Sequence, residues 1–186
     1  MDEQRLLIVL YGKKNQGKTT TLKELILLLA NSGIISPKLS TSLYKLFPHK
    51  GKNKDGRFIL EINKKRILIA TAGDSWTISR GNVEFFESKY KLSMRIYRVT
   101  SSSIYELSIK EKEDYKNEKA DVCICACRPS GDSTGAIKAL HMYCEEAIAH
   151  NYTYQLWVQK NSLKNDSTLA KELYDLVDTF IKTGKI

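Results

Sequence analysis

The sequence predicts a mixed α/β domain built on a mainly parallel sheet, on the strength of three observations. Apolar runs with little polar alternation, RLLIVLY (5–11), RILIATAG (66–73) and DVCICAC (121–127), have the pattern of strands buried on both faces. Stretches with apolar residues at helical spacing fall between such runs. Alternation of the two kinds calls for crossover connections between parallel strands. At 186 residues the chain suits one domain, 1–186, since domains run to about 100–200 residues.

The elements follow in order. Arg5 to Tyr11 is the first strand, ended by Gly12, and Leu22, Leu25, Ile26 and Leu29 mark a helix from Lys18 to Ala30, with Gly33 available for a left-handed terminus. Residues 34–56 hold Pro37, Pro48, Gly51 and Gly56 among many lysines and read as a basic loop. RFILEIN (57–63) and RILIATAG (66–73), joined by Asn63-Lys64-Lys65, read as an antiparallel hairpin. A helix is expected over about 81–89, burying Val83, Phe85 and Phe86. Residues 90–119 read as an insert, with strands at Lys91–Val99 and Ile104–Lys110 and a solvated helix or loop at Lys110–Lys119. After the strand at 121–127 and the turn Arg128-Pro129-Ser130-Gly131, helical spacing resumes from Thr134 to His150. YQLWVQK (154–160) is the last strand, and Asn165-Asp166-Ser167 offers caps for a final helix through Lys182.

Composition narrows the class. A hydrophobic fraction of 42% and a charged fraction of 27% exclude a disordered or fibrous chain. No apolar run approaches the roughly 20 residues that span a bilayer, and Leu6–Leu10 lacks a signal-peptide cleavage site. A cytoplasmic protein with no membrane partner is the expectation. The net charge of +9 favours anions without choosing among them, and a solvated basic face is preferred over nucleic-acid contact. Cys123, Cys125 and Cys127 alternate along one strand and so share a face, badly placed for paired disulfides or a four-ligand zinc site. They read as reduced core, and the scattered His49, His141 and His150 have no ligand-spaced companions.

The chemistry concentrates at Gly12-Lys13-Lys14-Asn15-Gln16-Gly17-Lys18-Thr19, which matches Gly-x-x-x-x-Gly-Lys-Ser/Thr and lies between a buried strand and a helix. Glycines permit a backbone wrapped so that its N–H groups converge on phosphate oxygens, and the helix N-terminus adds partial positive charge. Lys18 is expected to reach the β- and γ-phosphates, the Thr19 hydroxyl to be a magnesium ligand, and Thr20 to belong to the nucleotide-binding residues. Through this Walker A motif the chain resembles the P-loop NTPase superfamily. The resemblance implies a three-layer α/β/α fold and nucleoside-triphosphate binding.

Partners for the loop are sought at other strand ends. Asp74 closes ILIATAGD and is the expected acid for magnesium and catalysis, emerging at the sheet edge where ligands of α/β proteins gather. Thr71-Ala72-Gly73-Asp74 after a hairpin resembles the Asp-Thr-Ala-Gly-Gln switch segment of small GTPases, with Ala70 in place of that family's magnesium-side Asp and Asp74 in place of its water-orienting Gln. ATAGD, the stretch at 80–86 and the turn at 127–131 together resemble a group of small bacterial ATP-binding P-loop proteins. Arg128, directly after a strand, is a candidate for stabilising charge on a transferring phosphoryl group, with Arg80 a weaker one. Ser130, Ser133 and Thr134 read as helix caps. Gln159 and Lys160 end the last strand, where P-loop proteins contact the base. Gln159-Lys160-Asn161-Ser162 lacks the Asp of the guanine-reading Asn/Thr-Lys-x-Asp motif, so ATP is preferred over GTP. The expected function is a magnesium-dependent ATPase. A P-loop kinase acting on a nucleotide or small anionic metabolite, and a nucleotide-binding regulatory module that hydrolyses little and uses 90–119 as a protein-partner surface, are the alternatives.

Overall fold

The computed structural model describes residues 4–33, 47, 56–73, 76–128 and 153–186, with the side chains of Trp76 and Thr153 excepted. Asp74, the Pro129–Gly131 turn, Ser133, the helix expected at Thr134–His150, the three histidines and the basic loop apart from Phe47 and Gly56 lie outside the described residues. The elements are β1 (Arg5–Tyr11), α1 (Lys18–Ala30), β2 (Arg57–Ile62), β3 (Lys65–Ala70), α2 (Trp76–Phe86), β4 (Tyr97–Val99), β5 (Ile104–Glu106), α3 (Ile109–Tyr115), β6 (Val122–Cys127), β7 (Thr153–Gln159) and α4 (Asp166–Thr183).

The strands form one seven-stranded sheet in the order β5-β4-β2-β3-β6-β1-β7. Pairings β1–β6, β1–β7, β3–β6 and β2–β4 are parallel, whereas β2–β3 and β4–β5 are antiparallel hairpins. Alternate residues of β1 enter separate cores. Leu6, Ile8 and Leu10 meet α1 and α4 through Leu22, Leu25, Ile26, Leu173 and Val177, while Leu7 and Val9 join Phe85 and Phe86 of α2 on the other face. That double burial accounts for the unbroken apolar pattern of RLLIVLY. Cys123, Cys125 and Cys127 all lie in the α2-side core as free thiols.

The hairpin turn is tighter than the sequence reading. Lys65 already belongs to β3, and Asn63 and Lys64 hold φ of 51° and 64°, the two left-handed residues that a type I′ hairpin turn requires. Helix α2 begins at Trp76 and ends at Phe86, earlier than the expected 81–89. Its buried face starts with Ser79, Gly81 and Asn82 rather than with apolar residues, so hydrophobic periodicity gives no sign of its first turns.

The segment 90–119, read as an insert, contributes two strands to the same sheet. Only Tyr97–Val99 of the expected Lys91–Val99 strand is extended, because Met94 N–H closes a turn onto the Lys91 carbonyl. The following strand stops at Glu106, where Ser108 caps α3 in a reciprocal capping box with Glu111. Within the charge-rich stretch Lys112 is buried, its ammonium donating to the Leu92 carbonyl (3.3 Å). Among the described residues no helix is long and apolar enough to cross a membrane.

Candidate functional site

Strands β1, β3, β6 and β7 run in one direction, so Tyr11, Ala70, Cys127 and Gln159 reach the same sheet edge. The glycine loop leaves that edge from β1 and enters α1. Gly17 is the N-cap of α1 at φ 85°, without a side-chain cap, and the first turn carries no acid. Helix N-terminal N–H groups have no intrahelical acceptor, so this terminus is left to favour an anion. Gln16 closes the loop internally, its Oε1 accepting from Lys13 N–H (2.7 Å). Lys13, Lys14, Asn15 and Thr20 are exposed.

Lys18 points back along the loop. Its ammonium donates to the Gly12 and Lys13 carbonyls, both at 2.7 Å, and the residue is 8% exposed. Thr19 Oγ1 lies 3.4 Å from the Thr71 carbonyl oxygen, at the end of β3. Strand β6 intervenes between β1 and β3, which puts β3 two strand spacings, about 9.5 Å, from β1. The chain closes that gap at Gly73, where a methyl group would overlap the Ala126 carbonyl. Only a residue without Cβ permits this close pass across the end of β6.

The loop and the β3 end are laced together through β6. Gly12 N–H donates to the Cys127 carbonyl (3.2 Å), and Arg128 N–H donates to the Gly73 carbonyl (3.1 Å). Arg128 is thus placed between the glycine loop and the segment leading to Asp74, and it is half-buried. Burial pushes the Cys127 thiol up to about 12, Cys125 adds to the effect, and the Lys18 charge pulls the other way. The thiol therefore stays protonated beside the loop and serves as packing.

The β7–α4 connection braces the loop from behind. Lys160, expected to flank the base, is 2% exposed and turns inward. Its ammonium meets Asp166 Oδ1 (2.9 Å) and donates to the carbonyls of Asn161 and Lys164. Asp166 Oδ1 also accepts from Thr21 Oγ1 (3.3 Å). A methyl at Gly12 would overlap the Lys160 carbonyl, and one at Gly17 would overlap the Asp166 carboxylate. Both motif glycines are required by this contact as well as by the wrap of the loop. Gln159 is exposed at the strand end, in register with Tyr11.

Asp166 carried no site role in the sequence reading, because Asn165-Asp166-Ser167 looked like a cap. Asn165 takes the capping role, accepting from Ser167 and Thr168 N–H, which frees Asp166 for the brace. Thr71, whose side chain accepts from Gly56 N–H (2.9 Å), entered the sequence reading only as part of the Thr71-Ala72-Gly73-Asp74 segment, with no role of its own. Comparisons with protein-family models, with curated proteins and with solved structures gave no significant match.

Proposed function

We propose that this chain is a nucleoside-triphosphate-binding protein of the P-loop type, with three α/β/α layers as a single domain, and that it hydrolyses ATP with magnesium. One observation carries the reading. The Gly12–Thr19 loop spans a buried parallel strand and an uncapped helix, with the Lys18 ammonium drawn onto the loop's own carbonyls. A lysine held this way needs little reorganisation to meet phosphate oxygens, and the amides at the start of α1 supply directional donors.

Magnesium suits the donors available. Thr19 hydroxyl and the Thr71 carbonyl are hard oxygen ligands at one place, although no cluster of three His, Cys, Asp or Glu side chains capable of holding a metal occurs among the described residues. Thr19 would hold the ion, with Asp74 as the acid supplied by the ILIATAGD segment. When bound, the ion supplies charge neutralisation across the β- and γ-phosphates. The protein's own contribution is positioning. Lys18 counters phosphate charge, the Gly12–Thr19 amides fix the chain of phosphates, and Arg128 at the end of β6 answers charge developing on the transferred group. Gln159 is the residue offered to the base.

The test is calorimetric titration of ATP, ADP and GTP with magnesium, followed by phosphate release, on the wild type and on Lys18→Ala and Asp74→Ala. Binding that vanishes in Lys18→Ala, with ATP preferred and phosphate release dependent on Asp74, is the expected result. Absence of triphosphate affinity in the wild type would overturn the proposal.

A further inference from the structure

Arg57 stands at the start of β2, opposite Ala70 at the end of β3, and therefore at the same sheet edge as the glycine loop. Its guanidinium is packed under the first turns of α2. Nε donates to Asn82 Oδ1 (3.0 Å), Nη2 lies 3.4 Å from the Ile78 carbonyl, and a methyl on Gly81 would press on Nη2. Asn82 is itself fixed, its Nδ2 donating to the Ala72 carbonyl (2.8 Å). The residue before Arg57, Gly56, donates to Thr71, whose carbonyl faces Thr19. A short chain of contacts thus ties Arg57 to the loop and to the segment that leads into α2.

The charge of this group is not matched within the described residues. Arg5, Arg66, Arg80, Arg95 and Arg98 each lie within 4.0 Å of a glutamate carboxylate. Arg57 has no carboxylate at that distance among the described residues; both of its acceptors are neutral. Glu84, the acid that acts on it electrostatically, is engaged by Arg80 at 3.3 Å. Withdrawing a guanidinium from water without a counter-charge is costly, and burial lowers its affinity for the proton accordingly. It nevertheless remains charged, as arginine does in proteins. The amide and carbonyl orient the fork and leave the Nη1 edge for a planar, bidentate acceptor.

We propose that Arg57 is an oxyanion receptor, positioned by Asn82, for a phosphate or carboxylate group on the far side of the site from the loop amides. Three strand spacings, about 14 Å, separate β2 from β1. The anion is therefore either the terminal phosphate of the bound triphosphate or a group on a second substrate. The nucleotide reading supplies the first of these sources, but the receptor itself does not depend on it.

The experiment uses the full chain, as wild type, Arg57→Met, Arg57→Lys and Lys18→Ala, titrated with ADP, a non-hydrolysable triphosphate analogue, and inorganic phosphate with and without saturating ADP. If the terminal phosphate is the anion, Arg57→Met weakens the analogue at least about tenfold and leaves ADP unchanged. Should a second substrate supply it, both nucleotides bind as in wild type and phosphate affinity of the ADP complex falls by at least about tenfold. In either case ligand-free Arg57→Met melts no lower than wild type, since a half-buried charge with no carboxylate partner among the described residues has been removed. Normal binding of all three probes combined with a lower melting temperature would reduce Arg57 to a structural tie and overturn the proposal. Arg57→Lys, which keeps the charge but loses the fork, carries the same binding readouts if Arg57→Met fails to fold. Phosphate binding that is retained in Lys18→Ala and lost on Arg57 substitution supports the receptor even where nucleotide binding fails. Wild type that binds neither the analogue's extra phosphate nor free phosphate refutes it.

Discussion

The two ends of the sheet treat their cations differently. At the N-terminal end Arg5 is closed on every side. Nη1 meets Glu87 (2.6 Å), Nε and Nη2 donate to the Ala120 and Phe86 carbonyls (both 2.8 Å), and the guanidinium stacks 3.8 Å over the Phe86 ring. Nearby, Asp121 takes Lys65 (3.0 Å) and the Arg66 N–H (2.7 Å), and Arg66 reaches Glu118. At the C-terminal end the Lys18 ammonium counts two loop carbonyls among its partners, and Arg57 is oriented by an amide and a carbonyl. A cation met by a carboxylate ties elements together. Arg57, whose acceptors among the described residues are neutral, keeps most of its field for an anion that arrives later. The Lys160–Asp166 pair belongs to the first kind although it lies at the second end, which fits its place behind the loop rather than facing the ligand.

The largest test of this contrast is Glu87→Ala. Removing one partner of a buried pair leaves the other charge uncompensated, so the unfolding free energy is expected to fall by about 3–5 kcal/mol. Nucleotide affinity of the folded fraction should not change. Denaturant titration and calorimetry read the two quantities separately, and a loss of affinity without a loss of stability would erase the distinction between the ends.

Lys18→Ala is the opposite experiment. Affinity for ATP should drop at least about hundredfold, on the scale of two charge-assisted hydrogen bonds, with ligand-free stability within about 1 kcal/mol of wild type, typical of a site residue. A collapse of the fold in this variant would mean that the lysine is architecture like Arg5. Asp166→Ala falls between the two. Lys160 loses its carboxylate but keeps two carbonyls, and Asp166 is partly exposed, so a cost of about 1–3 kcal/mol is expected. A several-fold weaker ATP affinity should accompany it, because Gly17 loses the surface on which it rests. Full stability together with unchanged affinity would remove the brace from the account.

How much of this was readable beforehand depended on whether the signal was local. The loop, β1 and α1 were legible because a glycine-lysine spacing and two hydrophobic periodicities coincide within 26 consecutive residues, from Arg5 to Ala30. The hairpin was legible from two apolar runs and a short polar link, and α4 from its Asn165 cap. The start of α2 was not, since its inward residues Ser79 and Asn82 are polar, and Asn82 serves the Arg57 contact. Nor does any local pattern say that β6, more than fifty residues after β3, inserts between β3 and β1. Lys160 reads from its place after the last strand as a residue beside the base, whereas the approach of α4 makes it a buried partner of Asp166. The ends of β1 and β6 were thus foreseeable individually, while the order of the strands and the brace behind the loop are properties of tertiary packing.

The smallest expected effect serves as a control, since it involves an exposed carboxylate at the start of α3, belonging to neither set of buried cations. Glu111 accepts from Ser108 N–H (2.8 Å), and Ser108 Oγ accepts from Glu111 N–H (3.2 Å). The Ser108 main-chain bond, then the Ser108 side chain, hold the Glu111 carboxyl below its ordinary pKa. Because the folded value is the lower one, the stabilisation is present above the ordinary glutamate pKa and disappears as pH falls through the folded value. Carbon-detected NMR titration should find Glu111 below the ordinary glutamate value, and Ser108→Ala should move it only part of the way back, since the Ser108 N–H survives the substitution. Neither change should alter ATP affinity at neutral pH. An ordinary Glu111 titration in the wild type would show that the capping box does not persist in solution. A change in ATP affinity on Ser108→Ala would show instead that the charges on this side of the sheet are not isolated from the loop, and the separation between structural and ligand-facing charge would have to be redrawn.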